Sequence, residues 1–184
     1  LLNYNMNMGG ALTVELWFKN VQNGEDQYIF SKGKGGGIVS AYYVYLKTQY
    51  LLYRIENETD SLSMVGTQLI VDDAWNHLVF VMNNSAMTGY INGEWDKGVV
   101  HNMTGTLGSS DAFFLGNHFS GSKPLNGSID NFRIWNLSLS HEQIRALYNN
   151  RTDLIVSQTT KRNEVWNASI TVNDGYIDGE TLYT

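Results

Sequence analysis

The chain has 184 residues, 42% of them hydrophobic and 16% charged, which is enough for one packed domain and part of a second and too apolar for disorder. Its formal net charge of −6, with 12 Lys and Arg spread along the chain, leaves no basic stripe for phosphates and excludes nucleic acid as a partner. The lack of cysteine rules out a disulfide framework, a thiolate zinc site and a cysteine nucleophile, and no apolar run reaches the ~20 residues that a membrane-spanning helix needs.

In chain order the sequence reads as strand after strand. Ala11–Lys19 alternates, with Leu12, Val14, Leu16 and Phe18 on one face and Thr13, Glu15 and Trp17 on the other, the pattern of a half-buried strand. Gln27–Ser31 is a short strand, and Lys32–Gly37 is too glycine-rich for any regular element. Ser40–Lys47 and Leu51–Glu56 pair across a tight connection at Thr48–Tyr50, and Met64–Val71 is a further strand. Trp75–Met82 pairs with Met87–Ile91, which Asn92-Gly93, the dipeptide favoured in type I′ hairpins, joins to a strand near Trp95–Val100. Ala112–Leu115 and Gly127–Trp135 complete the set. One helix is expected over His141–Asn149: Ser140 and Gln143 form a capping box, and Ile144, Leu147 and Tyr148 share one face. Beyond Asn150 come two strand-like runs, Asp153–Ser157 and Val165–Val172, the turn Asn173-Asp174-Gly175, and a last run ending at Thr184.

Short strands at regular turn spacing with a single helix predict an all-β protein, a two-sheet antiparallel sandwich with one short helix and a strand-rich tail. The organisation expected is a sandwich domain over 1–150 and a tail over 151–184. That tail cannot bury a core by itself, so it is the start of a second β-domain or an arm that docks elsewhere. Opening on Leu1 without a leader, the chain reads as a mature or excised fragment.

Several blocks resemble the laminin-G-like, concanavalin A-like (pentraxin-type) jelly roll. They are Gly10–Lys19, Ile29–Gly33, the W-N-H-L strand from Trp75, Gly89-Tyr90-Ile91-Asn92-Gly93, Leu115-Gly116-Asn117, Leu125–Asn136 and the helix Leu139–Tyr148. They lie in the family's order over about residues 1–150. The family opens with one more strand, for which only Leu1–Met8 remains. Glu164–Gly175 is similar to immunoglobulin-like repeats of microbial, archaeal-type surface proteins. The resemblance implies a non-catalytic extracellular binding or adhesion module of a larger surface protein, with glycans or surface proteins as partners. The alternative is a structural subunit of a filament or surface layer, self-assembling through the tail or an open strand edge.

Seven N-x-Ser/Thr sites, at Asn57, Asn83, Asn102, Asn126, Asn136, Asn150 and Asn167, exceed the about three expected by chance and point to a glycosylated, exported protein. For sugar binding the chemistry needed is an exposed aromatic plane beside polar groups. Tyr43 and Tyr45 share one strand face with Lys47, opposite Tyr42, Val44 and Leu46, and one of these sets must face the core. Trp95 stands beside the Asn92-Gly93 turn as a further platform. No cofactor is required. The resemblance implies Ca2+ as the one candidate ion, with Glu25 and Asp26 before the second strand and Asn117 after the L-G strand as its ligands. Relatives carry adjacent acids where this chain has Asn117 and His118, so half of that site is missing. Glu56-x-Glu58-x-Asp60 is the only carboxylate group of glycoside hydrolase type. Its order differs from the glucanase E-x-D-x-E and it reads as a solvated hairpin end. His77 is expected to be a hydrogen-bonded structural residue, and Asp130 to be held by a charge or by backbone N–H groups.

Overall fold

The computed structural model describes residues 10–33, 41–57, 60–103, 112–151, 160–165, 167, 169–173 and 175–183. The expected upstream strand over Leu1–Met8, most of the glycine-rich turn and the run Asp153–Ser157 lie outside the described residues. Two compact units, Leu1–Thr152 and Asp153–Thr184, make up the chain.

Among the described residues the first unit is a sandwich of two antiparallel five-stranded sheets. One sheet is built on β1 (Ala11–Asn20), flanked by β10 (Gly127–Trp135) and β6 (Trp75–Asn83), and continues through β7 (Ala86–Ile91) to β8 (Glu94–Val100). The other runs β5 (Ser61–Val65), β4 (Tyr50–Glu56), β3 (Ala41–Lys47), β2 (Gln27–Lys32), β9 (Phe113–Leu115). Alternation decides what fills the space between them. Leu12, Val14, Leu16 and Phe18 of β1, Leu78 and Phe80 of β6, Tyr42, Val44 and Leu46 of β3, and Leu51, Tyr53 and Ile55 of β4 form one continuous buried cluster. This all-β, two-sheet antiparallel sandwich is the architecture expected from the periodicity, and it is consistent with the jelly roll that the resemblance implied.

The outer sides of the two sheets differ. On the β1–β6 sheet, Val79 and Val81 point outwards yet are buried, because α1 (His141–Tyr148) lays Ile144 and Leu147 across them together with Leu139. The helix starts as expected: the Ser140 side chain accepts from the Gln143 N–H, and the Gln143 side chain accepts from the Ser140 N–H. The same sheet face carries a buried carboxylate, Glu15, which accepts from His77 Nε2 and Arg133 Nη1, both at 3.2 Å, and from Trp135 Nε1 at 3.4 Å. A charge that deep needs such partners. His77 thus has the structural role expected of it.

Two strand expectations need correction. The run predicted over Met64–Val71 ends at Val65, because Asp96 Oδ1 takes the Thr67 and Gln68 N–H groups, at 2.6 and 2.7 Å, away from any ladder. The strand predicted over Val165–Val172 starts at Ser169. The Asn92-Gly93 connection is the expected one: both residues have positive φ, 52° and 79°, as a type I′ turn requires. Asp130 accepts from the Asn131 N–H at 2.7 Å, as expected of it, but it is exposed beside the bulge where β1 meets β10 and not enclosed in an apolar strand.

The second unit holds a hairpin of β11 (Ser169–Asn173) and β12 (Asp178–Tyr183). Ile170 lies opposite Leu182 and shares its side with Val172, and all three are exposed within this unit.

Candidate functional site

Among the described residues of the first unit, the helix packs on the β1–β6 sheet, and the outer face of the β2–β3–β4 sheet carries none. Because Tyr42, Val44 and Leu46 fill the core, alternation turns Tyr43 and Tyr45 of β3 outwards. Strand β2 adds Tyr28 by a less regular route. Tyr28 pairs with Tyr45, but Phe30 pairs with Val44, so a bulge at Ile29 shifts the phase and puts Tyr28 outside while Phe30 goes in.

The three tyrosines are neighbours. Tyr28 and Tyr45 stack with ring centroids 4.9 Å apart and an interplanar angle of 18°, and Tyr43 lies 5.6 Å from Tyr28 and 6.3 Å from Tyr45. The segment after β9 folds against them: His118 meets Tyr28 edge-on at 4.6 Å, and Phe119 meets Tyr43 at 6.3 Å. That segment is held by its own hydrogen bonds, from Gly121 N to the His118 carbonyl and from Tyr28 N to the Lys123 carbonyl. Tyr28 is buried beneath its neighbours, whereas Tyr43 and Tyr45 are half-buried and keep an accessible side.

Two ion pairs frame this aromatic surface. Arg54 on β4 donates from Nε to Glu56 at 2.9 Å, and Lys123 donates from Nζ to Asp26 at 2.7 Å. Arg54 and Glu56 act on Tyr43, and Asp26, Lys123 and Arg54 act on Tyr45. Burial pushes the Tyr43 phenol up to about 12, with Glu56 adding to it. Burial likewise raises Tyr45, and it raises Tyr28 further with help from Tyr43 and Tyr45. Burial, then Lys123, lowers the His118 imidazole. At neutral pH the surface therefore presents uncharged phenol hydroxyls, able both to donate and to accept, beside a neutral ring.

Of the ligand-binding residues expected from the sequence, Tyr43 and Tyr45 come together here. Trp95 does not: it is exposed on β8 of the opposite sheet, whose next residue, Asp96, faces the core. The three expected calcium ligands have the following partners. Asp26 is taken by Lys123, Glu25 is exposed, and the Asn117 side-chain oxygen accepts the His118 N–H at 2.9 Å. Among the described residues no three His, Asp or Glu side chains converge as metal ligands, and an ammonium group already neutralises the best-placed carboxylate. Glu56 is held by Arg54, and Glu58 lies outside the described residues. Of the seven sequons, Asn102, Asn126, Asn136, Asn150 and Asn167 are exposed, and Asn57 and Asn83 are half-buried. Tyr28, Arg54, Phe119 and Lys123 were not marked by any motif in the sequence, and His118 was marked only as a departure from the calcium pattern. Only the fold brings them to one face.

The family model described as the concanavalin A-like lectin/glucanases superfamily matches residues 3–145. Among curated proteins, "Adhesion G-protein coupled receptor V1" of Danio rerio is 26% identical over 187 residues, spanning 93% of this chain and 3% of that receptor. Among solved structures, the carbohydrate-binding module CBM40 of a Ruminococcus gnavus sialidase, bound to α2,3 sialyllactose, matches with a TM-score of 0.66 at 16% identity, over 76% of this chain and 83% of that one. The binding domain of Paraclostridial Mosquitocidal Protein 1 gives 0.63 at 18% identity, over 78% and 38% of the two chains. The binding domain of botulinum neurotoxin DC, in complex with rat synaptotagmin II, gives 0.57 at 19%, over 79% and 37%. At these identities the structural matches speak to the fold alone.

Proposed function

The chain belongs to the concanavalin A-like lectin/glucanases superfamily, and from that premise we propose that it is a non-catalytic, extracellular carbohydrate-binding or adhesion module of a larger surface protein. The observation that carries this reading is the tyrosine surface of Tyr43 and Tyr45, backed by the buried ring of Tyr28. Flat aromatic rings complement the apolar C–H face of a pyranose, and neighbouring phenol, guanidinium and carboxylate groups suit its hydroxyls. Binding needs no bond-making step, and the one strand-borne carboxylate at this face, Glu56, is engaged by Arg54. The matched relative named as an adhesion receptor supports the same class, as does the excess of sequons for an exported glycoprotein.

A glycan array followed by calorimetry tests it. Some glycan is expected to bind, with or without EDTA, and Tyr43→Ala and Tyr45→Ala are each expected to weaken it by about tenfold or more, the loss of one good aromatic contact. Binding by both folded variants at the parent's strength would overturn the assignment.

A second role concerns the C-terminal unit. The exposed Ile170, Val172 and Leu182 of the β11–β12 hairpin favour assembly, in which this short sheet pairs with or packs on a strand of a partner, as in a filament or surface layer. Light scattering on the whole chain should then show concentration-dependent oligomers that Val172→Lys abolishes. A monomer at all concentrations would rule the role out.

A further inference from the structure

The electrostatics of the tyrosine face narrow the ligand, and this step rests on the glycan reading just given. Arg54 and Lys123, the two cations that act on Tyr43 and Tyr45, each already have an anion of their own. Arg54 is engaged by Glu56 at 2.9 Å and Lys123 by Asp26 at 2.7 Å, with both pairs part-shielded from solvent on at least one side. Lys47, on the same strand face, and Glu25 next to Asp26 are exposed and add one charge of each sign. His118 adds none near pH 7, since burial and Lys123 lower it. Among the described residues the surface that meets a ligand thus carries two paired donors and acceptors, and its charged groups sum to zero.

We infer that this site takes uncharged glycans, neutral pyranosides presenting neighbouring hydroxyls, and discriminates against sialylated, sulfated or uronic-acid sugars. The physical reason is a competition. An incoming carboxylate or sulfate gains an Arg54 or Lys123 contact only by displacing Glu56 or Asp26, leaving that carboxylate uncompensated beside the newcomer. A sugar diol meets no such conflict. One hydroxyl accepts from the guanidinium or ammonium while its neighbour donates to the carboxylate, so each intact pair serves as a matched two-point contact. Selection against charge in this site comes from the fixed anions, a repulsive element as much as an attractive one.

The test uses the complete 184-residue chain against matched pairs of glycans, lactose with sialyllactose and an N-acetyllactosamine with its sulfated form. Each acidic member is expected to bind about tenfold more weakly or worse than its neutral partner, and neutral affinity should change less than about twofold across a salt titration, because no net charge is being screened. Glu56→Gln and Asp26→Asn, which free Arg54 and Lys123 respectively, should raise affinity for the acidic sugars about tenfold and make it salt-sensitive. Having two such variants at opposite edges of the face guards against one of them failing to fold. Equal or tighter binding of the acidic glycans by the unaltered chain overturns the inference while leaving the glycan reading intact. Absence of binding to any glycan sinks both.

Discussion

Tyr53 reaches across the interior of the sandwich to give its phenol proton to Asp96 Oδ2 at 2.7 Å, while Oδ1 of the same carboxylate accepts the N–H groups of Thr67 and Gln68. Both residues are fully buried, so this is where the two sheets and the segment after β5 are tied by directed bonds instead of by packing alone. Tyr53→Phe keeps the ring and leaves one carboxylate oxygen without its donor. It is expected to cost about 1–3 kcal/mol, the penalty for stranding a buried acceptor, read as a lower urea midpoint. The sequence does not disclose this bond: Asp96 follows Trp95, which reads as an exposed platform, and its partner lies 43 residues away. At the same scale the outward pair Tyr43 and Tyr45 could be read from alternation alone. Tyr28 could not, because the bulge at Ile29 breaks the period by which a strand is recognised.

Elements were easier to read than their ends. The helix α1 declared itself through the reciprocal bonds of Ser140 and Gln143 and the apolar face of Ile144 and Leu147. Removing the cap oxygen in Ser140→Ala should destabilise the protein by about 1 kcal/mol with the urea slope unchanged, since one N–H at the helix start loses its acceptor. A changed slope would mean that the helix detaches from the sheet as a separate step. Strand β5 was overextended because hydrophobic residues at Leu69, Ile70 and Val71 imitate a strand, while the carboxylate that stops it belongs to β8. Gly89 is a further feature visible only in three dimensions: a Cβ there would overlap the Tyr53 ring, so β7 can cross that ring only with glycine at this position.

Across the whole sandwich, the phenols make a prediction that no single residue does. Burial raises Tyr42, and burial followed by Asp96 raises Tyr53 well above the ordinary value of 10.0; Tyr28 and Tyr43 are raised as well. A phenol held protonated by the fold contributes stability that is fully present below the unfolded-state value and lost as pH rises above it. Stability should therefore be level from neutral pH towards 10 and fall beyond it, with the tyrosinate absorbance of the buried phenols rising together with loss of β-structure. Early ionisation of most of the tyrosines without unfolding would contradict the packing described. The two-sheet arrangement was legible in the sequence because its core strands keep a strict period of two. The face that serves as the candidate site was not, since it draws on β2, β3, β4 and the segment after β9, which only sheet order brings side by side.

The placement of α1 over one sheet has a consequence for strength of attachment. With Val79 and Val81 covered by Ile144 and Leu147, the proposed binding role falls, among the described residues, to the tyrosine face, one platform per copy. A shallow aromatic platform of this kind gives modest affinity per copy, so firm and reversible grip on a glycan-coated surface would come from avidity, many copies displayed at high local concentration, and not from tightening any one of them.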